Sequence, residues 1–230
     1  MTDERRTGIA RAGRSDPLTP REMVAAIGGV LGIVEAVLPS LLFIVAYQVV
    51  ALRAAPAPVD RAALPLVVVP PLALSAVFLV VRLARRQRIG SAVGGALGAG
   101  VSAALALLTG DANENFLPGI LTNAAYGLVL LLSLLVRRPL IGVAVGFLVP
   151  DLKDWRADPG RRRTMTWLTA LWTALFAVRL AVEVPLYLAG DRVIALGVAK
   201  IALGLPLYAP VLVLTILVVQ AMAKRAARPA

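Results

Sequence analysis

The sequence contains no cysteine and no histidine. That excludes disulfides, thiolate nucleophiles, imidazole bases, the ordinary zinc ligand sets and any triad built on histidine. Charged residues make up only 16% of the chain and aromatic residues 5%, and of 24 basic side chains only Lys153, Lys200 and Lys224 are lysine. No Walker loop, Gly-x-Ser-x-Gly elbow or paired-aspartate metal motif is present. The expectation is therefore no cofactor, no metal and no catalytic residue, which leans away from an enzyme.

What is abundant is apolar surface. Of the 230 residues 59% are hydrophobic, and the mean hydropathy is +0.83. A soluble domain of this size cannot hide so much apolar surface in one core, so the excess must face lipid. In hydrocarbon every crossing segment has to satisfy its own backbone hydrogen bonds, which leaves helices or closed barrels. The apolar runs last roughly 20 residues without alternation, the signature of membrane-spanning α-helices. The fold class expected is an all-α polytopic bundle with six spans near 27–52, 62–82, 90–109, 116–136, 165–189 and 196–222. Residues 1–19 and 223–230 read as basic tails, and 20–222 as a single bundle.

Arg and Lys are unevenly distributed. Five fall before the first span, four in the second-to-third connection, seven between the fourth and fifth spans and three in the C-terminal tail, against Arg53, Arg61 and Arg192 on the other side. The positive-inside rule then places both termini in the cytoplasm, which an even number of spans also requires. The charged first 22 residues lack the apolar stretch of a cleavable signal. The Arg, Ala, Gly and Val bias is that of a GC-rich bacterial genome, so the membrane expected is the bacterial cytoplasmic one. The net charge of +11 sits in short runs beside apolar segments. This favours anionic lipid over nucleic acid as the partner of the cytoplasmic arginines, Arg161 to Arg163 beside the Asp158-Pro159-Gly160 turn included.

Residues 139–150 are as apolar as a span but too short to cross, at roughly 18 Å of helix. Pro139 after Arg137 and Arg138 favours a break and a re-entrant or interfacial half-helix over an extension of the fourth span. In the first span, Gly28, Gly29, Gly32 and Pro39 leave open whether residues 20–33 lie on the surface.

Glu35 to Tyr47 aligns without gaps on Glu114 to Tyr126, with six identities, as an inverted repeat of a transporter would. Leu and Ala are so common here that chance is an equal explanation. A second echo, Arg85 to Gly94 against Arg137 to Gly146, has another offset and cannot belong to the same duplication.

Ionisable groups inside spans are expensive, at about 2.5–3.5 kcal/mol each on insertion scales. Arg179 and Glu183 stand one turn apart and can pair along one helix face. Asn123, Tyr126 and Lys200 come to similar depth, which makes a polar, outward-facing cluster an expectation. Glu35, without a basic neighbour in its own span, is either an entrance residue or an unpaired acid suited to proton relay. Such a cluster serves either as a site for a small solute, ion or proton, or as a neutralised pair locking helices. Lys200 also fits snorkelling. Gly90, Gly94 and Gly98 at four-residue spacing read as a face for close helix packing, within the chain, with a second copy or with a membrane partner. Pro39, Pro118, Pro185 and Pro206 are expected to kink four spans.

The pattern Glu35-x-x-Leu-Pro39 with Phe43 and Tyr47, then Phe116-Leu-Pro-Gly119 with Asn123 and Tyr126, Arg179-Leu with Pro185-Leu-Tyr187-Leu-Ala-Gly-Asp191, and Leu205-Pro-Leu-Tyr208 resembles an actinobacterial family of multi-span membrane proteins of unknown function (domain of unknown function 3159). The likeness covers roughly residues 20–222. It implies membrane location and the same span arrangement, and it supplies no activity or catalytic residue.

Overall fold

A computed structural model describes residues 29–55, 57, 59–84, 90–190 and 192–226. Among them there are only helices and their connections. They are α1 (Gly29–Ala54), α2 (Leu64–Ala84), α3 (Gly90–Thr109), α4 (Leu117–Leu135), α5 (Leu140–Leu148), α6 (Pro159–Leu188), α7 (Val193–Ala202) and α8 (Leu205–Ala226), with short 3-10 turns at Ala112–Asn115 and Pro150–Leu152. Five stretches are long and apolar enough to cross a membrane: Val37–Ala54, Leu64–Ala84, Leu117–Leu135, Pro159–Leu188 and Val193–Ala226. Gly95–Thr109 within α3 is apolar but shorter. These helices leave large apolar side chains uncovered, among them Leu52, Leu66, Leu97, Leu108, Leu135 and Leu188. So continuous an apolar exterior is incompatible with water and suits acyl chains. The chain is a multi-pass membrane protein of helical-bundle type.

Two compact units emerge, one of 29–125 with Ala177–Leu207, the other of Tyr126–Phe176 with 208–226. In the first, α1 packs on α2 and α7, and α2 packs on α3. Its core joins Phe43, Leu64, Val67, Val68, Ala106, Phe116, Ile120 and Leu196, with Phe43 and Phe116 meeting edge to face at 5.5 Å. Close approach is built in at Gly197, where a Cβ would run into Ile44.

In the second unit the chain breaks after α4. Arg137 takes a left-handed φ of 56°, and Arg138 N–H donates to the Ser133 carbonyl at 2.8 Å, closing the helix end before Pro139. Helix α5 is therefore a separate nine-residue piece, as the Arg-Arg-Pro sequence indicates. Pro139 caps nothing, but the first N–H groups of α5 are met by hydroxyls: Leu140 donates to Ser133 Oγ at 3.1 Å and Ile141 to Thr169 Oγ1 at 3.3 Å. Helix starts in apolar surroundings need such partners. Gly142 and Gly146 let the Trp155 indole lie against α5, so Trp155 is buried with Met165 and Leu152. Helix α6 begins at Pro159, where Asp158 Oδ1 accepts from Gly160 and Arg161 N–H, so it starts earlier than the span expected at 165–189 and the loop before it is shorter.

Three further expectations are corrected. The sixth span is not one helix: Leu203 and Gly204 separate α7 from α8. Pro118 and Pro206 stand in first turns, where proline fits without kinking, while Pro70, Pro71 and Pro210 lie inside helices alongside Pro39 and Pro185. The Glu35 and Glu114 segments are not structural equivalents, since Glu35 and Pro39 are inside α1 whereas Glu114 is in the 3-10 turn and Pro118 opens α4. Residues 20–28, on which the surface-lying alternative turns, and both tails beyond 226 and before 29 lie outside the described residues.

Candidate functional site

Helix faces rich in small residues leave a cavity in the first unit. Gly95, Gly98, Ala99 and Ser102 of α3 and Gly119 and Thr122 of α4 face a partly open space of about 630 Å³, bordered also by α1 and α2. A Cβ on Gly95, Gly98 or Gly119 would meet nothing within 4 Å. Within the chain, Gly98 therefore borders open volume and not a closely packed helix. The surroundings of Gly90 and Gly94 lie outside the described side chains.

Charge is concentrated in this wall. Glu35 from α1 forms a salt bridge with Arg82 from α2, both side chains mostly covered. This corrects the view of Glu35 as an unpaired acid: Arg82, counted with the connecting-loop arginines, belongs to the last turn of α2 and reaches it. On α6, Arg179 Nη2 donates to Glu183 Oε1 at 3.0 Å across one turn, and Asn123 Nδ2 of α4 donates to Glu183 Oε2 at 3.0 Å. Glu183 is 4% exposed, so both carboxylate oxygens are engaged away from water. Burying such a charge is tolerable only with partners of this kind. Lys200 of α7 lines the same cavity, its Nζ 5.5 Å from the centroid of the Phe116 ring. That geometry is cation–π.

Of the six residues expected to cluster, Arg179, Asn123, Lys200 and Glu35 line the cavity, and Glu183 ties Arg179 to Asn123. Tyr126 does not join them; its ring packs 5.8 Å from Phe176 in the other unit, one position past where α4 leaves the first. Arg82, Ser75 and Thr122 were not singled out from sequence, whereas Ser102 was read only as continuing the small-residue face of Gly90, Gly94 and Gly98. For Arg82 the signal was available, since an acid inside a span demands a cation. Beside the cavity, the Tyr187 hydroxyl donates to Glu114 Oε1 at 2.8 Å, pinning the 3-10 turn to the end of α6. Among the described residues no group of three or more acidic side chains is placed to hold a metal.

In the other unit, Arg156, Arg162, Arg163, Thr166 and Trp167 border a shallow recess. Arg156 lies 5.1 Å over the Trp155 ring, and Trp167 is largely exposed.

No curated protein and no solved structure matches the chain. A family model described as a protein of unknown function, DUF3159, matches residues 27–226, nearly all of the chain. The protein belongs to DUF3159.

Proposed function

We propose that the chain crosses a bacterial cytoplasmic membrane six times, with both termini in the cytoplasm, and acts as a transporter-like or channel-like protein for a small solute or ion. The observation that carries this reading is the cavity of about 630 Å³, lined by Arg82, Glu35, Asn123, Arg179 and Lys200. Its volume falls in the range of small-molecule sites, and intramembrane charge beside open space marks solute and ion pathways. Prolines inside α1 and α2 support it, because they release backbone groups and let helices bow around a void. The recess at Arg156, Arg162 and Arg163 suits anionic headgroups on the cytoplasmic side.

The alternative is an accessory membrane protein that packs with a partner or lipid and carries nothing. It is favoured by the pairing of Arg82 with Glu35 and Arg179 with Glu183, since neutralised pairs also lock helices together. Proteoliposome uptake of a panel of small ions and organic solutes separates the two, with Gly98→Leu filling the cavity. Transport predicts that at least one solute enters faster than into empty liposomes and that Gly98→Leu returns it to background. Uptake of none above background, or uptake indifferent to Gly98→Leu, removes the transport reading.

A further inference from the structure

The charges around the cavity do not cancel. Glu35 answers Arg82, and Glu183 answers Arg179, but Lys200 has no salt bridge and no hydrogen bond among the described residues. The charge of Glu183 acts on Lys200, but its two oxygens are already taken by Arg179 and Asn123. Among the described residues three cations against two carboxylates leave one positive charge at the cavity wall. An ammonium covered from water whose acidic neighbour Glu183 already serves two other donors is costly, and an anion in the adjoining space relieves that cost. The remainder of the wall is mostly apolar, with Pro39, Phe43, Val68, Leu72, Leu79 and Ala99 facing the same volume.

We infer that the cavity binds an amphiphilic monoanion, its single negative charge at Lys200 Nζ and its apolar body along α1, α2 and α3. This inference rests on the cavity being a ligand site and names the class of ligand. The charged head reaches the site either on a soluble organic acid or on an anionic lipid; both present the same chemistry to Lys200. The ring of Phe116 holds the ammonium in place, and the glycines of α3 leave the width that an alkyl chain needs.

The test uses the full chain in phosphatidylcholine nanodiscs and labelled octanoate, with octanol and octyltrimethylammonium as neutral and cationic probes of similar length. Saturable octanoate binding, absent for the other two, is expected. Lys200→Met should weaken it by about tenfold or more, the loss of a charge-assisted contact. Gly98→Leu should abolish it by occupying the alkyl space, which keeps the inference testable should Lys200→Met fold poorly. Octanoate binding in discs without anionic lipid supports a soluble acid. Thermal protection by phosphatidylglycerol that disappears in Lys200→Met supports the lipid source. Octanol binding as well as octanoate, or octanoate and phosphatidylglycerol effects unchanged in Lys200→Met, overturns the inference. If neither anion binds while cavity cysteines still react with aqueous reagents, the ligand class is wrong and the cavity reading stands.

Discussion

Glu183 is the residue on which most depends, because it serves two donors from two helices while 4% exposed. Glu183→Gln removes the charge that balances Arg179 and should destabilise the protein by about 3 kcal/mol, as when one partner of a buried pair is deleted. The paired replacement Arg179→Met with Glu183→Leu should cost less, since no charge is then left behind. Melting in neutral detergent checks both, and a Glu183→Gln melt equal to wild type would show that the carboxylate is solvated. Arg179 and Glu183 were legible in the sequence because four-residue spacing on a helix decides which side chains meet. Asn123 was legible only as a depth. Tyr126 had the same depth and faces elsewhere, since depth says nothing about which way a helix turns its face. Arg82 was hidden by being counted with the arginines that follow it, although an acid at Glu35 called for a cation.

At the level of elements, the break before Pro139 could be read from Arg137-Arg138-Pro139, whereas the break between α7 and α8 could not. Pro206 in a first turn and Gly204 before it are each compatible with a continuous, kinked span. The structure shows why glycine is required in this turn: a Cβ at Gly204 would lie 2.7 Å from the Lys200 carbonyl oxygen. Gly204→Ala should therefore destabilise the protein by about 1–3 kcal/mol, the usual range for overpacking. Gly98→Ala, whose Cβ enters open space, should be neutral or stabilising by up to about 1 kcal/mol through helix propensity. Thermal melts of the two variants side by side check the contrast, and equal destabilisation would mean that α3 is packed against something at Gly98. The small residues of α3 suggested packing from sequence because spacing identifies a narrow face and not what lies opposite it.

For the whole chain, helical membrane architecture follows from composition and run length, since apolar surface in this amount has nowhere else to go. The apparent duplication of Glu35 to Tyr47 did not survive, because three informative identities in an Ala- and Leu-rich chain do not specify equivalent helices. What neither run length nor charge counting could reveal was the void, where small residues of α3 and α4 border a space that side chains of α1, α2, α6 and α7 also line. The central proposal is that this void is a ligand site, and its reading as a transport site requires access from the aqueous side. The cysteine-free background allows it to be tested with Ser102→Cys and Thr122→Cys, probed in intact cells with a membrane-impermeant maleimide, and Ala57→Cys in the exposed α1–α2 connection as control. The account predicts that both cavity cysteines label and that Gly98→Leu protects them. Labelling at Ala57→Cys alone would contradict it and leave a closed, packed bundle.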